Sequence, residues 1–284
     1  MKVTVIGLGS MGSAIATCLA QHGVEACVWN RSPEKAAPLA ALGARVVASP
    51  GEAVVASPLV IVCIKGHREA FELLGPLGSE LRGRTVCDLS TGDTADAERL
   101  VAMLGANGAK FLLGMINAYP SGIGEADTTI LTVGTEAAWE SHGEVIRKLG
   151  GKSARVGETP AALDALFAGL FTARQGFMFG MLYGALVCRK AGIPMQVYSD
   201  QLPATLKLVN DYHTLFAKTV PTGDYDNAAA SLEVYALAQV DALKSFRATG
   251  APEEFLELIH ARTDAALKDG LGEKQLTVLV EHMG

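Results

Sequence analysis

Met1-Lys2-Val3-Thr4-Val5-Ile6-Gly7-Leu8-Gly9-Ser10-Met11-Gly12 opens the chain and leads into Ser13-Ala14-Ile15-Ala16-Thr17-Cys18-Leu19-Ala20. The first six residues read as a buried strand and the alanine-rich stretch as a helix. The glycine spacing between them has a mechanical reading. Gly7 allows a tight turn off the strand, Gly9 lets the backbone approach a pyrophosphate, and Gly12 lets the helix pack closely on the sheet. The helix beginning near Ser10 then directs its first N–H groups at the phosphates. Gly7, Leu8, Gly9, Ser10, Met11 and Gly12 are therefore expected to cradle a dinucleotide. In isolation such a spacing arises by coincidence; the strand before it and the helix after it give it weight.

The choice of dinucleotide follows from the end of the second strand, Val24 to Trp29, which leads to Asn30-Arg31-Ser32-Pro33-Glu34-Lys35. An NAD site places a carboxylate about 20 residues past the glycines to accept from the ribose hydroxyls, whereas a 2′-phosphate calls for cations and hydroxyls. Position 30 is Asn. Arg31 offers a planar guanidinium, Ser32 a hydroxyl, and Lys35 lies one turn further on, so NADPH (NADP+) is the expected cofactor. The plainer role for Arg31 and Lys35 is a solvated helix start.

The chain has 284 residues, 49% of them hydrophobic, enough for two domains with cores of their own. It has no unbroken apolar run of about 18 residues and no basic leader, which is the pattern of a soluble cytoplasmic protein. A formal net charge of −6 and the lack of a Lys/Arg-rich block argue against nucleic acid or an anionic membrane as partner. Five cysteines without metal or redox spacing read as buried apolar thiols. The six histidines are scattered, so no metal site is expected, and each reads as a surface residue, with His213 alone held as a site candidate.

β-like runs at Val24 to Trp29, Ala44 to Val47, Leu59 to Ile64, Thr85 to Leu89, Lys110 to Leu113, Thr128 to Val133 and Ser153 to Val156 alternate with helical stretches. This predicts an α/β fold, an N-terminal Rossmann domain with a doubly wound parallel sheet over residues 1–160. A long apolar helix, about 161–191, follows as an interdomain helix, and residues 161–284 form an all-helical domain. At 1.5 Å per residue the long helix spans roughly 45 Å and is apolar all round, which predicts a dimer core. Further helices are expected at about Val197 to Val209, Ala228 to Ala248 and Glu253 to Asp269, and a last one from Glu273.

Ligands of open α/β sheets sit at the carboxyl ends of strands. Two loops there should face the nicotinamide: Cys63-Ile64-Lys65-Gly66-His67, of which Cys63, Ile64 and Lys65 are cofactor candidates, and Leu89-Ser90-Thr91-Gly92-Asp93. Thr91 offers a hydroxyl to substrate or cofactor; Asp93 is a catalytic candidate that serves equally well as a helix N-cap. A third loop, from Gly114 to Gly124, holds Asn117 and Tyr119.

GLGSMG, WNRS, LSTGD, INAYPSGIG and Asp226-Asn227-Ala228-Ala229-Ala230-Ser231-Leu232 together make the chain resemble, over essentially its whole length, the imine reductases and reductive aminases, NADPH-dependent relatives of the β-hydroxyacid dehydrogenases. The resemblance implies hydride delivery to the carbon of a C=N bond, an imine or amine as small-molecule partner, and a domain-swapped homodimer whose active sites are shared between subunits. In the hydroxyacid relatives a Lys, followed four residues later by Asn, begins the long helix; here Phe167 and Phe171 fall at those places. Imine reductases carry Asp at the place of Phe167 and Asp or Tyr at the place of Gln175. Gln175 donates a hydrogen bond but supplies no proton, and Phe167 forms an apolar wall. Either the substrate arrives as an iminium ion, which needs orientation and little else, or the donor is displaced to Asp93, Tyr119, Tyr212 or His213. Asp164 reads as a first-turn carboxylate favoured by the helix dipole, and Arg174 as either paired across a dimer or facing the cleft. Tyr212, His213 and Gln239 of a partner subunit are expected to close a pocket walled by Phe167, Phe171 and Phe179. A 3-oxoacid reductase and a catalytically weak NADPH sensor are the alternatives.

Overall fold

The computed structural model describes residues 1–226 and 228–284; Asn227, within one of the motifs quoted above, lies outside the described residues. The order of elements is β1 (Lys2–Ile6), α1 (Ser10–Gln21), β2 (Glu25–Trp29), α2 (Ala37–Ala41), β3 (Arg45–Val46), α3 (Pro50–Val55), β4 (Leu59–Val62), α4 (His67–Leu74), β5 (Thr85–Asp88), α5 (Thr94–Ala106), β6 (Lys110–Ile116), β7 (Ile130–Gly134), α6 (Glu136–Leu149) and β8 (Ala154–Gly157). Helices α7 (Pro160–Lys190), α8 (Met195–Thr219), α9 (Leu232–Thr249), α10 (Glu254–Lys268) and α11 (Leu279–His282) follow.

The strands form one sheet in the order β3-β2-β1-β4-β5-β6-β7-β8, parallel throughout except between β6 and β7. A parallel return needs a crossover, usually a helix. The link from Asn117 to Thr129 carries only a 3-10 turn at Pro120–Gly122, so β7 comes back antiparallel. All four residues of β4 are buried, as expected of a strand covered on both faces. Val3, Val5, Leu59 and Ile61 pack with Ile15, Leu19 and Val145 on one face; Ile6, Val60, Val62 and Val86 pack with Leu74, Leu100 and Leu104 on the other. The strand order reverses between β1 and β4, the place where open α/β sheets bind ligands. The loops after β1, β4 and β5 therefore lie at one edge of the sheet.

By internal contacts the chain divides within α7, into units Met1–Leu170 and Phe171–Gly284. The second unit is helical. There α9 and α10 are tied by Arg247, which pairs with Glu253 and Glu257, and Tyr183 stacks on Phe255 with ring centroids 5.5 Å apart. Helix α8 runs on to Thr219, ten residues past the expected stop at Val209, because the polar Asn210-Asp211 pair falls on a solvated face and breaks nothing. Helix α9 starts at Leu232 instead of Ala228, behind Ser231, whose backbone bridges to Gln275. The expected helix from Glu273 is reduced to a 3-10 turn at Leu276–Val278 and the short α11. Helix α7 leaves Phe179 and Leu182 exposed; its length and composition alone are those of a membrane span, and none of its most apolar window is buried by the chain.

The turn from β1 into α1 separates two roles of glycine. A Cβ on Gly12 would lie 1.9 Å from the Gly7 carbonyl oxygen, whereas one on Gly9, at φ −70°, would meet no atom within 4 Å. Gly12→Ala is expected to lose about 1–3 kcal/mol or more of stability in urea denaturation, and Gly9→Ala to stay within about 1 kcal/mol while weakening dinucleotide binding. Equal stability losses in the two variants would sink this division.

Candidate active site

Two cavities open at the carboxyl edge of the sheet in the first unit. The larger, about 840 Å³, is lined by Gly7, Gly9, Ser10, Met11 and Gly12, by Asn30, Arg31, Ser32 and Lys35, and by Cys63, Ile64 and Lys65. Gly7 has φ +95°, and a Cβ there would lie 2.3 Å from the Cys63 carbonyl oxygen, so the turn off β1 can press against the loop after β4 only as glycine. Leu8 is buried in the core, and its N–H donates to Asn30 Oδ1 at 2.9 Å. The Asn30 amide in turn donates to the Ser32 carbonyl at 3.0 Å. Asn30 thus stitches the glycine turn to the loop that carries Arg31 and Ser32. The Ser32 hydroxyl caps nothing, and Arg31 and Lys35 form no ion pair among the described residues. A guanidinium, a hydroxyl and an ammonium stand ready for a phosphate. The bare backbone at Gly9, together with these donors, fits a dinucleotide that carries a 2′-phosphate. Trp29 at the end of β2 and Glu69, Glu72 and Leu73 on α4 also line this cavity; sequence reasoning missed the last three because α4 enters from a different part of the chain.

The smaller cavity, about 340 Å³, shares Met11, Cys63 and Ile64 with the first and adds His67, Ser90, Thr91, Gly92, Asp164 and Phe167. Two loops meet at its floor. His67 Nδ1 lies 2.8 Å from Asp88 Oδ2, both side chains buried; Asp88 Oδ1 accepts from the Ser90 N–H at 3.0 Å; and the Ser90 hydroxyl accepts from the Ile64 N–H at 3.2 Å. Burial pushes the His67 pKa down, but the hydrogen bond and charge of Asp88, with the charges of Asp164 and Asp96, outweigh it and hold the imidazole above its ordinary value. Burial, with the charge of Asp88, pushes the Cys63 thiol up to about 11. On α7, Asp164 accepts a hydrogen bond from the Thr94 hydroxyl.

The sequence candidates divide accordingly. Every cofactor candidate borders the larger cavity except Leu8, which acts through its backbone, and Thr91, which borders the smaller one. Asp93 Oδ1 accepts from the Asp96 N–H at 2.8 Å and caps α5. Asn117 and Tyr119 are exposed, Tyr119 by 75%, and border neither cavity. In the second unit Gln175 and Tyr212 are half-buried, His213 and Phe179 exposed, and the Gln239 side-chain oxygen lies 3.3 Å from His260 Nδ1. Arg174 stands over the Phe171 ring at 5.3 Å. Two expectations need correction. His67 is 5% exposed and no surface residue, because Asp88, 21 positions away in sequence, satisfies its ring. Asp164 is not in the first turn of α7, which begins at Pro160, and it borders the smaller cavity.

The fold has counterparts among known proteins. Residues 2–157 match the NAD binding domain of 6-phosphogluconate dehydrogenase, and residues 160–284 match the C-terminal domain of the NADPH-dependent reductive aminase-like family. The NADPH-dependent reductive aminase of Aspergillus oryzae is 24% identical over 99% of this chain and 96% of its own. An imine reductase from Myxococcus stipitatus solved with NADP+ is 28% identical with a TM-score of 0.88, covering all of both chains. A reductive aminase from Aspergillus terreus solved with NADPH4, cyclohexanone and allyl amine is 27% identical with a TM-score of 0.83, covering 100% of this chain and 99% of that one.

An NAD-binding domain joined to the C-terminal domain of an NADPH-dependent family, with Arg31, Ser32 and Lys35 at the second strand, makes the cofactor NADPH. Asn30→Asp keeps an acceptor for the Leu8 N–H but brings a negative charge beside Arg31; the ratio of KM for NADPH to KM for NADH is expected to rise, and an unchanged ratio would contradict this placement. The raised His67 pKa also has a stability consequence. Its folded value lies above the ordinary 6.5, so the protonated pair contributes fully below about pH 6.5, and the contribution is lost as pH rises through the folded pKa. Urea midpoints of the wild type and His67→Gln, compared across pH, should converge on the alkaline side. The two domain matches, in this order and with only Glu158 and Thr159 between them, show that the chain belongs to the imine reductase and reductive aminase family.

Proposed function

We propose that this protein reduces imines or iminium ions to amines, working as a soluble cytoplasmic homodimer with shared active sites. NADPH supplies the hydride for the carbon of the C=N bond. Residues 1–160 serve as the NADPH domain and residues 161–284 as the dimerisation and substrate domain. One observation carries the reading: the cavity adjoining the dinucleotide site is bordered by one carboxylate, Asp164, and by no Lys or Arg among the described residues. Such a cavity, whose imidazole is already paired with the buried Asp88 carboxylate, favours a cation over an oxo acid, whose carboxylate would face Asp164. No lysine lies between Ser153 and Arg189, the stretch in which the hydroxyacid relatives carry theirs.

Roles follow from residue chemistry. Asp164 holds the positive charge of the substrate, Thr91 orients it through its hydroxyl, and Phe167 forms an apolar wall. Gln175 offers an amide hydrogen bond to the substrate nitrogen. Tyr212, His213 and Gln239 complete the pocket from a second copy, and Phe171 and Phe179 belong to its apolar wall. Exposed apolar side chains on α7 and α8, among them Leu182, Leu208 and Phe216, favour cover by that copy. Five free cysteines fit a reducing compartment.

The test is loss of NADPH absorbance with 2-methyl-1-pyrroline beside a 3-oxo acid. The imine alone should be consumed, and Asp164→Asn should lower its kcat/KM by about one to two orders of magnitude while leaving NADPH affinity unchanged. Consumption of the oxo acid, or full activity in Asp164→Asn, would overturn the reading.

A further inference from the structure

Resting on the C=N reading above, we propose that His67, seated against Asp88, is the proton donor to the substrate nitrogen. His67 opens α4, and its own N–H donates to the Thr91 carbonyl at 3.3 Å. Its Nδ1 faces the Asp88 carboxylate, which only accepts, so Nδ1 carries a hydrogen and the ring is anchored on that edge. Its Nε2 has no hydrogen-bond partner among the described residues, while the ring borders the same cavity as Thr91 and Asp164. The ring's Cδ2 edge lies so close to Gly92 that a Cβ there would come within 2.7 Å, so the loop after β5 is moulded on this imidazole.

The other dissociable groups of the cavity suit the task less. The Cys63 thiol, at about 11, holds its proton too tightly, the Ser90 and Thr91 hydroxyls are far weaker acids than an imidazolium, and Asp164 is an acceptor for Thr94. The charged and titratable groups around His67 are Asp88 on β5, Asp96 on α5, Asp164 on α7 and Cys63 after β4; the three carboxylates all favour the imidazolium. In the step, the Nε2–H bond of the imidazolium breaks and its proton joins the lone pair of the imine nitrogen. This leaves neutral His67 and an iminium ion against Asp164. Hydride addition to the iminium carbon then yields the neutral amine, and solvent returns a proton to His67.

The test pairs two substrates, 2-methyl-1-pyrroline above its own pKa and the N-methyl-1-pyrrolinium ion, which is already cationic and needs no proton. His67→Gln should lose about 100-fold or more in kcat on the pyrroline and leave the pyrrolinium rate intact. Asp88→Asn, which keeps an acceptor for Nδ1 but removes the charge, should move the alkaline limb of the pyrroline pH profile to lower pH. Equal losses of His67→Gln on both substrates, no loss on the pyrroline, or an unmoved limb in Asp88→Asn would overturn the proposal; the Asp88 variant decides if His67→Gln does not fold. A wild type that reduces neither substrate would instead overturn the C=N reading itself.

Discussion

The contact between the Gly12 Cα and the Gly7 carbonyl is the constraint on which both cavities depend. With room for no Cβ there, α1 starts against the turn off β1, and that turn presses on the Cys63 carbonyl after β4. Two chain segments far apart in sequence, the turn off β1 and the loop after β4, are thereby brought within backbone contact at the reversal of strand order. Met11, Cys63 and Ile64 become a wall common to the dinucleotide cavity and the smaller one. The Asn30 amide extends the same frame outward, holding Leu8 on one side and Ser32 on the other. No carboxylate could make both bonds, because the second requires a donor.

Asp88 organises the smaller cavity in a comparable way. One carboxylate accepts from a ring nitrogen and from a backbone N–H, and so fixes both loops at the sheet edge. A buried carboxylate is tolerated only when its acceptor capacity is used, and here the loops that satisfy it are those that border the smaller cavity. The cavity therefore inherits a negative environment with an imidazole in it. Cys63 stays a neutral thiol in the same surroundings.

Much of this was legible in the residues. Strand-glycine-helix at the start, Arg31-Ser32 after the second strand, and alternation through the first half follow local rules, since turn geometry and periodicity act within a few residues. The strands were read to within a few residues, except that β6 continues through Gly114 to Ile116, where glycine suggested a loop. Less was legible where polar residues are satisfied at a distance. Asp93 has its acceptor role three residues away, so its cap was among the readings from sequence. His67 and Asp164 find partners 21 and 70 positions away, and no periodicity reports those.

The sequence by itself determined the nucleotide fold, the preference for a 2′-phosphate and the change to an all-helical second half, because each rests on backbone conformation or on residue chemistry within one turn. Only the tertiary structure decided which polar side chains border the smaller cavity: Asp93 and Tyr119 are turned to other uses or to solvent, and His67 and Asp164 take the places beside Thr91. The physical reason is that a buried charge or imidazole is stable only with its partner, and partnership is settled by packing in space, not by spacing along the chain.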